Sequence, residues 1–385
     1  SRFDEPARAN SQSLGLSPRT VAGQEPEYNV ADGLPREGQP GIPPLPEYRG
    51  LPTVAHRMSR ERNTVMGRNT LAFALTLGMA AAPALAQQVT LKAVNAFQEG
   101  TYYARNFEAF VKKVNDEGKG VVQINYLGGP KAIPTFEQGN ALRSGVVDMS
   151  NTTTSFVAGI VPEGLAINYT NQTMAEMRKN GAIDYLNKIM MEKGLYYYAR
   201  TGEGVQYYIY SNKRIDKADL TGLKLRIAPI YRDFFQKLGA NVVQIAPGEV
   251  YTALERGVVD GYGWPLLGIF DLGWHEKTKF RIEPGFYAIE LGVIFSANTW
   301  RKLNPAQRAF LEKQAVWLES QNVDMAAKDA PAEIKKQQDA GLQVIKLDAE
   351  QSRILQKTAY DAAWDAVVKS SPAHGAKLRE MLEPK

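Results

Sequence analysis

The stretch LKLRIAP, residues 223–229, holds a side chain suited to gripping an anion. Strand alternation puts Leu223, Leu225 and Ile227 on one face and Lys224 and Arg226 on the other. A guanidinium can hold a carboxylate through two parallel hydrogen bonds, which a lysine ammonium does not reproduce. From the strand alone, an arginine in water at a sheet edge is the ordinary reading. Twenty residues earlier, in GEGVQYY, stands Gln206. Its amide offers donor and acceptor together, which suits a carboxylate beside a second oxygen; a strand glutamine facing water is the plain alternative. Trp264, in DGYGWP, follows a strand end among glycines, where a ring can wall a pocket.

Other chemistry is scarce. The chain has no cysteine and three histidines in 385 residues. Thiolate nucleophiles, disulfides and Cys-based zinc sites are absent, and a His-based triad or multi-His metal site is almost excluded. Net charge is +5, a small difference between 46 cations and 41 anions with no long basic run, so nucleic acid is not an expected partner.

The elements that must position Arg226 repeat along the chain. VTLKAVNAF reads as a strand, YYARNFEAFVKKVNDEG as a helix and VVQINYLGG as a strand; FEQGNALRSG then reads as a helix and VVDMSNTTT as a strand entering a polar loop. The same order returns after residue 220. LTGLKLRIAP, NVVQIAP and VVDGYGWP read as strands, separated by the helices IYRDFFQKLGA and EVYTALERG. Strand–helix alternation predicts mostly parallel sheets with crossover helices. ALRSGVVDM (141–149) and ALERGVVDG (253–261) share a junction: a helix closes at Gly145 or Gly257, then two valines enter a buried strand. Asp148 and Asp260 at these junctions read as structural hydrogen-bonding groups rather than as an acid/base pair.

FYAIELGVIFSANTWRKL (286–303) has strand character and can cross between the two halves. Asn304 and Pro305 announce a helix start, and the remainder reads as largely helical. Polar and aromatic residues in loops after strand ends complete the candidate site: Phe97, Tyr102, Asn151 and Thr153. The tyrosine runs at 196–198 and 207–210 read mainly as core, with one ring able to line a pocket.

The first 86 residues are read as separate from the fold. Residues 1–57, with stretches such as GQPGIPPLPEYRG, show no apolar periodicity and are expected to be disordered. Residues 58–86 offer a basic start, a short apolar run and an A-x-A site, the pattern of a secretory signal peptide cleaved after Ala86. No membrane anchor is expected after cleavage.

The span LTGLKLRIAPIYRDFFQKLGANVVQIAPGEVYTALERGVVDG (220–261) closely resembles the extracytoplasmic solute-binding subunits of TRAP (tripartite ATP-independent periplasmic) transporters, of DctP type. GGPKAIPTFEQGNALRSGVVDM resembles the first-lobe motif of that family. The resemblance implies a two-lobed α/β periplasmic binding protein fold, class II-like, each lobe a central mostly parallel sheet with flanking helices, plus C-terminal helices. It implies lobe I from 87–203 with 292–331, and lobe II from 204–291 with 332–385. A small organic acid would be held between the lobes and passed to TRAP membrane permease subunits in the periplasm, by a monomer or homodimer.

At the motif position of Arg226 the family binds the ligand carboxylate. Gln206 resembles the GVQ of the branch that takes 2-oxo and 2-hydroxy monocarboxylates, where the Gln contacts ligand and sometimes a metal ion; Trp264 also matches that branch. The residue before the Trp is there a metal-binding Glu, but here is Gly263. That departure argues against a required cation or other cofactor, with Gln206 and Glu290 as the remaining candidate metal ligands. The alternatives are a binding protein of a tripartite tricarboxylate or ATP-driven system, and an exported enzyme acting on carboxylates, which the missing catalytic groups disfavour.

Overall fold

The computed structural model describes residues 87–383. The expected Pro-rich segment, signal peptide and cleavage site lie outside these residues. Eleven strands are defined among them: β1 (Val89–Asn95), β2 (Val122–Tyr126), β3 (Met149–Thr152), β4 (Leu195–Gly202), β5 (Gln206–Ser211), β6 (Lys224–Ile227), β7 (Asn241–Gln244), β8 (Gly261–Pro265), β9 (Phe280–Ala288), β10 (Leu291–Ser296) and β11 (Gln343–Lys346). They form a five-stranded sheet, β2-β1-β3-β10-β4, and a six-stranded sheet, β11-β9-β5-β8-β6-β7. Without β11, the second sheet repeats the first position by position.

The sheets are mostly parallel, as expected, with one reversed strand in each. β10 runs antiparallel to both β3 and β4, and β5 antiparallel to both β8 and β9. The cause lies in the connections. β1, β3, β6 and β8 carry their carboxyl ends towards the space between the sheets, as open α/β sheets do at ligand clefts. The chain crosses between sheets there, from β4 to β5 and from β9 to β10. Each arriving strand therefore starts at the cleft and runs away from it. The 286–303 run makes the second crossing, breaking at Ile289–Glu290, and its end folds as the helix Ala297–Lys302 instead of continuing as strand.

The repeated junction is the same motif twice. Gly145 and Gly257 have φ of 74° and 65°, the left-handed region that closes a helix. The next amides complete the turn: Val146 N donates to Ala141 O and Val258 N to Ala253 O, each at 2.9 Å. The first valine of each pair is consequently exposed, not strand core; Val147 and Val259 are buried, and the strands begin later. The aspartates match as well. A carboxylate oxygen of Asp148 accepts from Lys92 N at 2.7 Å, and one of Asp260 accepts from Lys224 N at 2.9 Å. Each ties the end of the repeat to the strand that neighbours it in its own sheet, β1 or β6.

Burial alone would raise the Asp260 pKa, but the Lys213 ammonium and the Lys224 amide outweigh it and hold the carboxyl below its ordinary 3.8. A depressed folded-state pKa gives stability that is fully present above the unfolded value and is lost as pH falls through the folded one. Asp260→Asn should therefore flatten the acid limb below about pH 4. Thermal melts across that limb check this; parallel curves for both proteins would contradict it.

The helix Pro305–Asp339 opens with a reciprocal cap: Asn304 Oδ1 accepts from Gln307 N and Gln307 Oε1 accepts from Asn304 N. It packs Leu311, Ala315 and Leu318 against the first sheet's outer core, and Gln337 reaches Leu266 O and Arg281 in the second lobe. The helix is continuous through the position expected to divide the lobes, 331/332.

Candidate functional site

Arg226, next to last in β6, is fully buried, not solvated at an edge. Its Nε donates to Ile245 O at 2.8 Å and its Nη1 to the Tyr231 hydroxyl at 3.0 Å and Gly263 O at 3.4 Å. Nη2 has no hydrogen-bond partner. No carboxylate among the described residues forms a salt bridge with it, and burial lowers its pKa from the ordinary value. The guanidinium carbon lies 5.5 Å from the Trp264 ring centroid, a favourable contact worth about 2 kcal/mol where water is excluded. A buried cation with an unpaired donor is costly unless an anion completes it.

Arg226 faces a cavity between the two sheets. The first lobe supplies Phe97, Tyr103, Thr153, Ser155 and Phe156, and the second Tyr207, Ala228, Tyr231, Trp264 and Pro265. Ile289 and Leu291, on either side of Glu290 in the crossing, also line it. The space left is about 20 Å³, room for one water. A carboxylate larger than that enters only if lobes or rings move apart. The wall is mainly aromatic, with Trp264 edge-on to Tyr103 at 5.8 Å and Tyr207 tilted against Tyr231 at 5.7 Å. Among the described residues that line it, Arg226 is the one charged residue.

Of the expected site residues, Arg226, Trp264, Phe97 and Thr153 meet at this cavity. Gln206, Tyr102 and Asn151 do not. Gln206 begins β5, where the ladder to β9 shifts register, and its exposed side chain lines outer clefts with Asn171 and Ala288. The next residue, Tyr207, points inward because strand side chains alternate. Tyr102 starts helix α1 (Tyr102–Glu117) and turns away, while Tyr103, about 100° further round, faces the cavity. Both ends of the Asn151 amide are engaged within the first lobe: Nδ2 donates to Asn95 Oδ1 and Tyr103 O, and Oδ1 accepts from Thr201.

Tyr207 is the one ring of the tyrosine runs that lines the cavity, whereas Tyr103, Ser155, Phe156 and Tyr231 were not singled out by sequence reasoning. Ser155 and Phe156 lie in the same polar loop from which Asn151 and Thr153 were chosen, so loop position was a usable signal and residue choice was not. Tyr231 lies five residues past Arg226 in the turn after β6, with no pattern to mark it.

Glu290 is fully buried at the crossing. Its Oε2 accepts from Thr153 Oγ1, Thr154 N and Thr154 Oγ1, and its Oε1 from the Tyr197 hydroxyl, all within 2.9 Å. Donors thus surround the carboxylate, whereas a metal site needs further oxygen acceptors. No cluster of three acidic, His or Cys residues occurs among the described residues. Gln206, the other candidate ligand, lies on the opposite face of its strand. At Gly263 a Cβ would stand 2.7 Å from the Tyr231 ring, so Tyr231 fills the room a side chain there would need.

Residues 94–370 match the profile of the DctP family, described as bacterial extracellular solute-binding protein, family 7. A monocarboxylate 2-oxoacid-binding periplasmic protein from Nostoc sp. is 26% identical over 211 residues, or 51% of this chain and 57% of that relative's length. A TRAP periplasmic solute-binding protein from Desulfovibrio salexigens, with bound orotic acid, superposes with a TM-score of 0.69 at 20% identity, covering 76% of this chain and 97% of that one. A TRAP transporter solute-binding protein from Bordetella bronchiseptica, a mixed-occupancy dimer with copurified calcium and picolinate, gives 0.68 at 20% identity, covering 77% and 92%. At such identities the structural likeness is one of fold.

Proposed function

Because the chain belongs to the DctP family of bacterial extracellular solute-binding proteins, we propose that it is the solute-binding subunit of a TRAP transporter, capturing a small organic monocarboxylate for a membrane permease. The observation that carries this reading is Arg226, whose buried Nη2 lacks an acceptor at the cavity between the lobes. The 2-oxoacid relative and the orotic acid and picolinate of the similar structures support a single carboxylate as the gripped group. The aromatic wall favours a compact 2-oxo or 2-hydroxy acid, or an aromatic acid, over a polyhydroxylated one whose hydroxyls would lack partners.

The reading is one of binding rather than catalysis, since the described residues of the cavity wall include no histidine, cysteine or carboxylate. Export to the periplasm with cleavage after Ala86, and a monomer or homodimer, belong to the same proposal; no helix among the described residues is long and apolar enough to cross a membrane. We place no required cation in the site, because the Glu290 oxygens are occupied and Tyr231 excludes a side chain at position 263.

A thermal-shift screen tests this reading, since a ligand that binds only the folded state raises its melting temperature. A saturating monocarboxylate should raise it by about 5 °C or more, and EDTA should leave that shift unchanged. Dicarboxylates and sugar acids should give little. A larger shift with a dicarboxylate, or a shift abolished by EDTA, would contradict the corresponding part of the proposal.

A further inference from the structure

Apart from the bonds made by the crossing segment itself, four hydrogen bonds among the described residues join the two lobes around the cavity, and each is complete within the protein. On one side, Tyr102 N donates to Asp271 Oδ2 at 2.6 Å and the Tyr103 hydroxyl to Leu267 O at 3.1 Å. On the other, Ile230 N donates to Ser155 Oγ at 3.1 Å and the Tyr169 hydroxyl to Ile230 O at 3.2 Å. Tyr103 and Ser155 also line the cavity, but Asp271 does not.

Asp271 has a particular role in this set. Helix α1 of the first lobe has no capping side chain of its own and no acidic residue in its first turn. Its Thr101 hydroxyl is turned back onto Gln98 O. The carboxylate that its first amides attract is supplied by the second lobe, where Asp271 takes the amide of the first helical residue. A carboxylate at a helix N-terminus gains from both the free amide and the helix dipole. The gain exists only while the lobes are together, because opening the cleft withdraws Asp271 from the helix.

We propose that Asp271 is a closure-setting residue: a trans-lobe cap on helix α1 that biases the protein towards its closed form and so tightens ligand binding without touching the ligand. The affinity part rests on the proposed function; the closure part does not. A contact made only in the closed form scales the closed population, and apparent affinity follows that population. Removing it should leave ligand entry unchanged and speed release.

The chain's lack of cysteine allows a direct test. Lys119→Cys and Lys346→Cys, both exposed and in different lobes, accept a fluorophore pair on the full chain. In the ligand-free protein, Asp271→Ala should shift the pair to larger separation. Asp271→Asn, which keeps a neutral acceptor, should fall between Asp271→Ala and the unsubstituted protein, guarding against a folding defect in the alanine variant. With benzoate as probe, Asp271→Ala should bind about tenfold more weakly, through faster dissociation. An unchanged ligand-free separation in both variants would overturn the proposal. If benzoate fails to bind even the unsubstituted protein, the functional reading is weakened while the ligand-free separations still decide the role of Asp271.

Discussion

Arg226→Met should abolish measurable carboxylate binding while the protein stays folded. The guanidinium is buried and no protein atom accepts from Nη2, so the fold already bears the cost of desolvating a cation. A carboxylate entering the cavity recovers that cost through a charge-assisted bond. Losing such a buried pair costs about 2–5 kcal/mol, or roughly 30-fold to several thousand-fold in affinity. The effect on folding is smaller because two changes oppose each other. Methionine orphans Ile245 O, which accepts from Nε, but it also removes an uncompensated charge. The Tyr231 hydroxyl keeps its own bond to Gly263 O at 2.6 Å, so that part of the wall stays in place. The ligand-free melting temperature should therefore move by only a few degrees. Arg226→Lys should bind weakly, because a single ammonium lacks the planar fork. Calorimetry with an acid identified by thermal shift separates these outcomes; affinity retained in Arg226→Met would remove the basis of the proposed function.

Glu290→Ala should be the most destabilising single change at the crossing. Four donors converge on this carboxylate, and the site is closed to bulk water. Threonine hydroxyls can rotate towards other acceptors. Thr154 N and the Tyr197 hydroxyl are held by backbone and ring and would be stranded. Each buried donor left without a partner costs about 1–3 kcal/mol, and with the cavity left behind a loss of about 4 kcal/mol is expected. For a chain of this size that lowers the melting temperature by about 10 °C. Glu290→Gln keeps one acceptor oxygen and should lose roughly half as much. Because Thr153 is both a Glu290 partner and a cavity residue, both variants should also bind ligand more weakly. Denaturant unfolding measures the first effect; a Glu290→Ala protein as stable as the unsubstituted chain would show that the four bonds contribute little net free energy.

What the sequence disclosed follows from which signals are local. The two Gly-Val-Val-Asp junctions are local, and they marked two similarly built sheets, because a helix must close through a left-handed residue before a strand can begin. The β6 strand that carries Arg226 was equally legible, since its apolar alternation and Pro229 fix where the strand stops. Where side-chain direction decided the matter, the sequence was less informative. Gln206 and Tyr207 differ by one position, and strand alternation sends the tyrosine inward and the glutamine outward. Tyr102 and Tyr103 differ by the rotation of one helical residue. Asn151 has the right loop and chemistry for a ligand, but contacts from Asn95, Tyr103 and Thr201, distant in sequence, occupy its amide. Tyr231 was hidden for a related reason. Its place beside Gly263 depends on a close approach between two segments that no periodicity records.

The two lobes thus present a nearly apolar cavity with one buried cation whose donor is unfilled. The central claim is that a monocarboxylate fills it. A crystal structure of the full chain with a monocarboxylate that raises its melting temperature tests this most directly. The account predicts the carboxylate between the lobes, within hydrogen-bond distance of Arg226 Nη2 and walled by Trp264 and Tyr207. An acid bound elsewhere, with Arg226 Nη2 still lacking an acceptor, would contradict it.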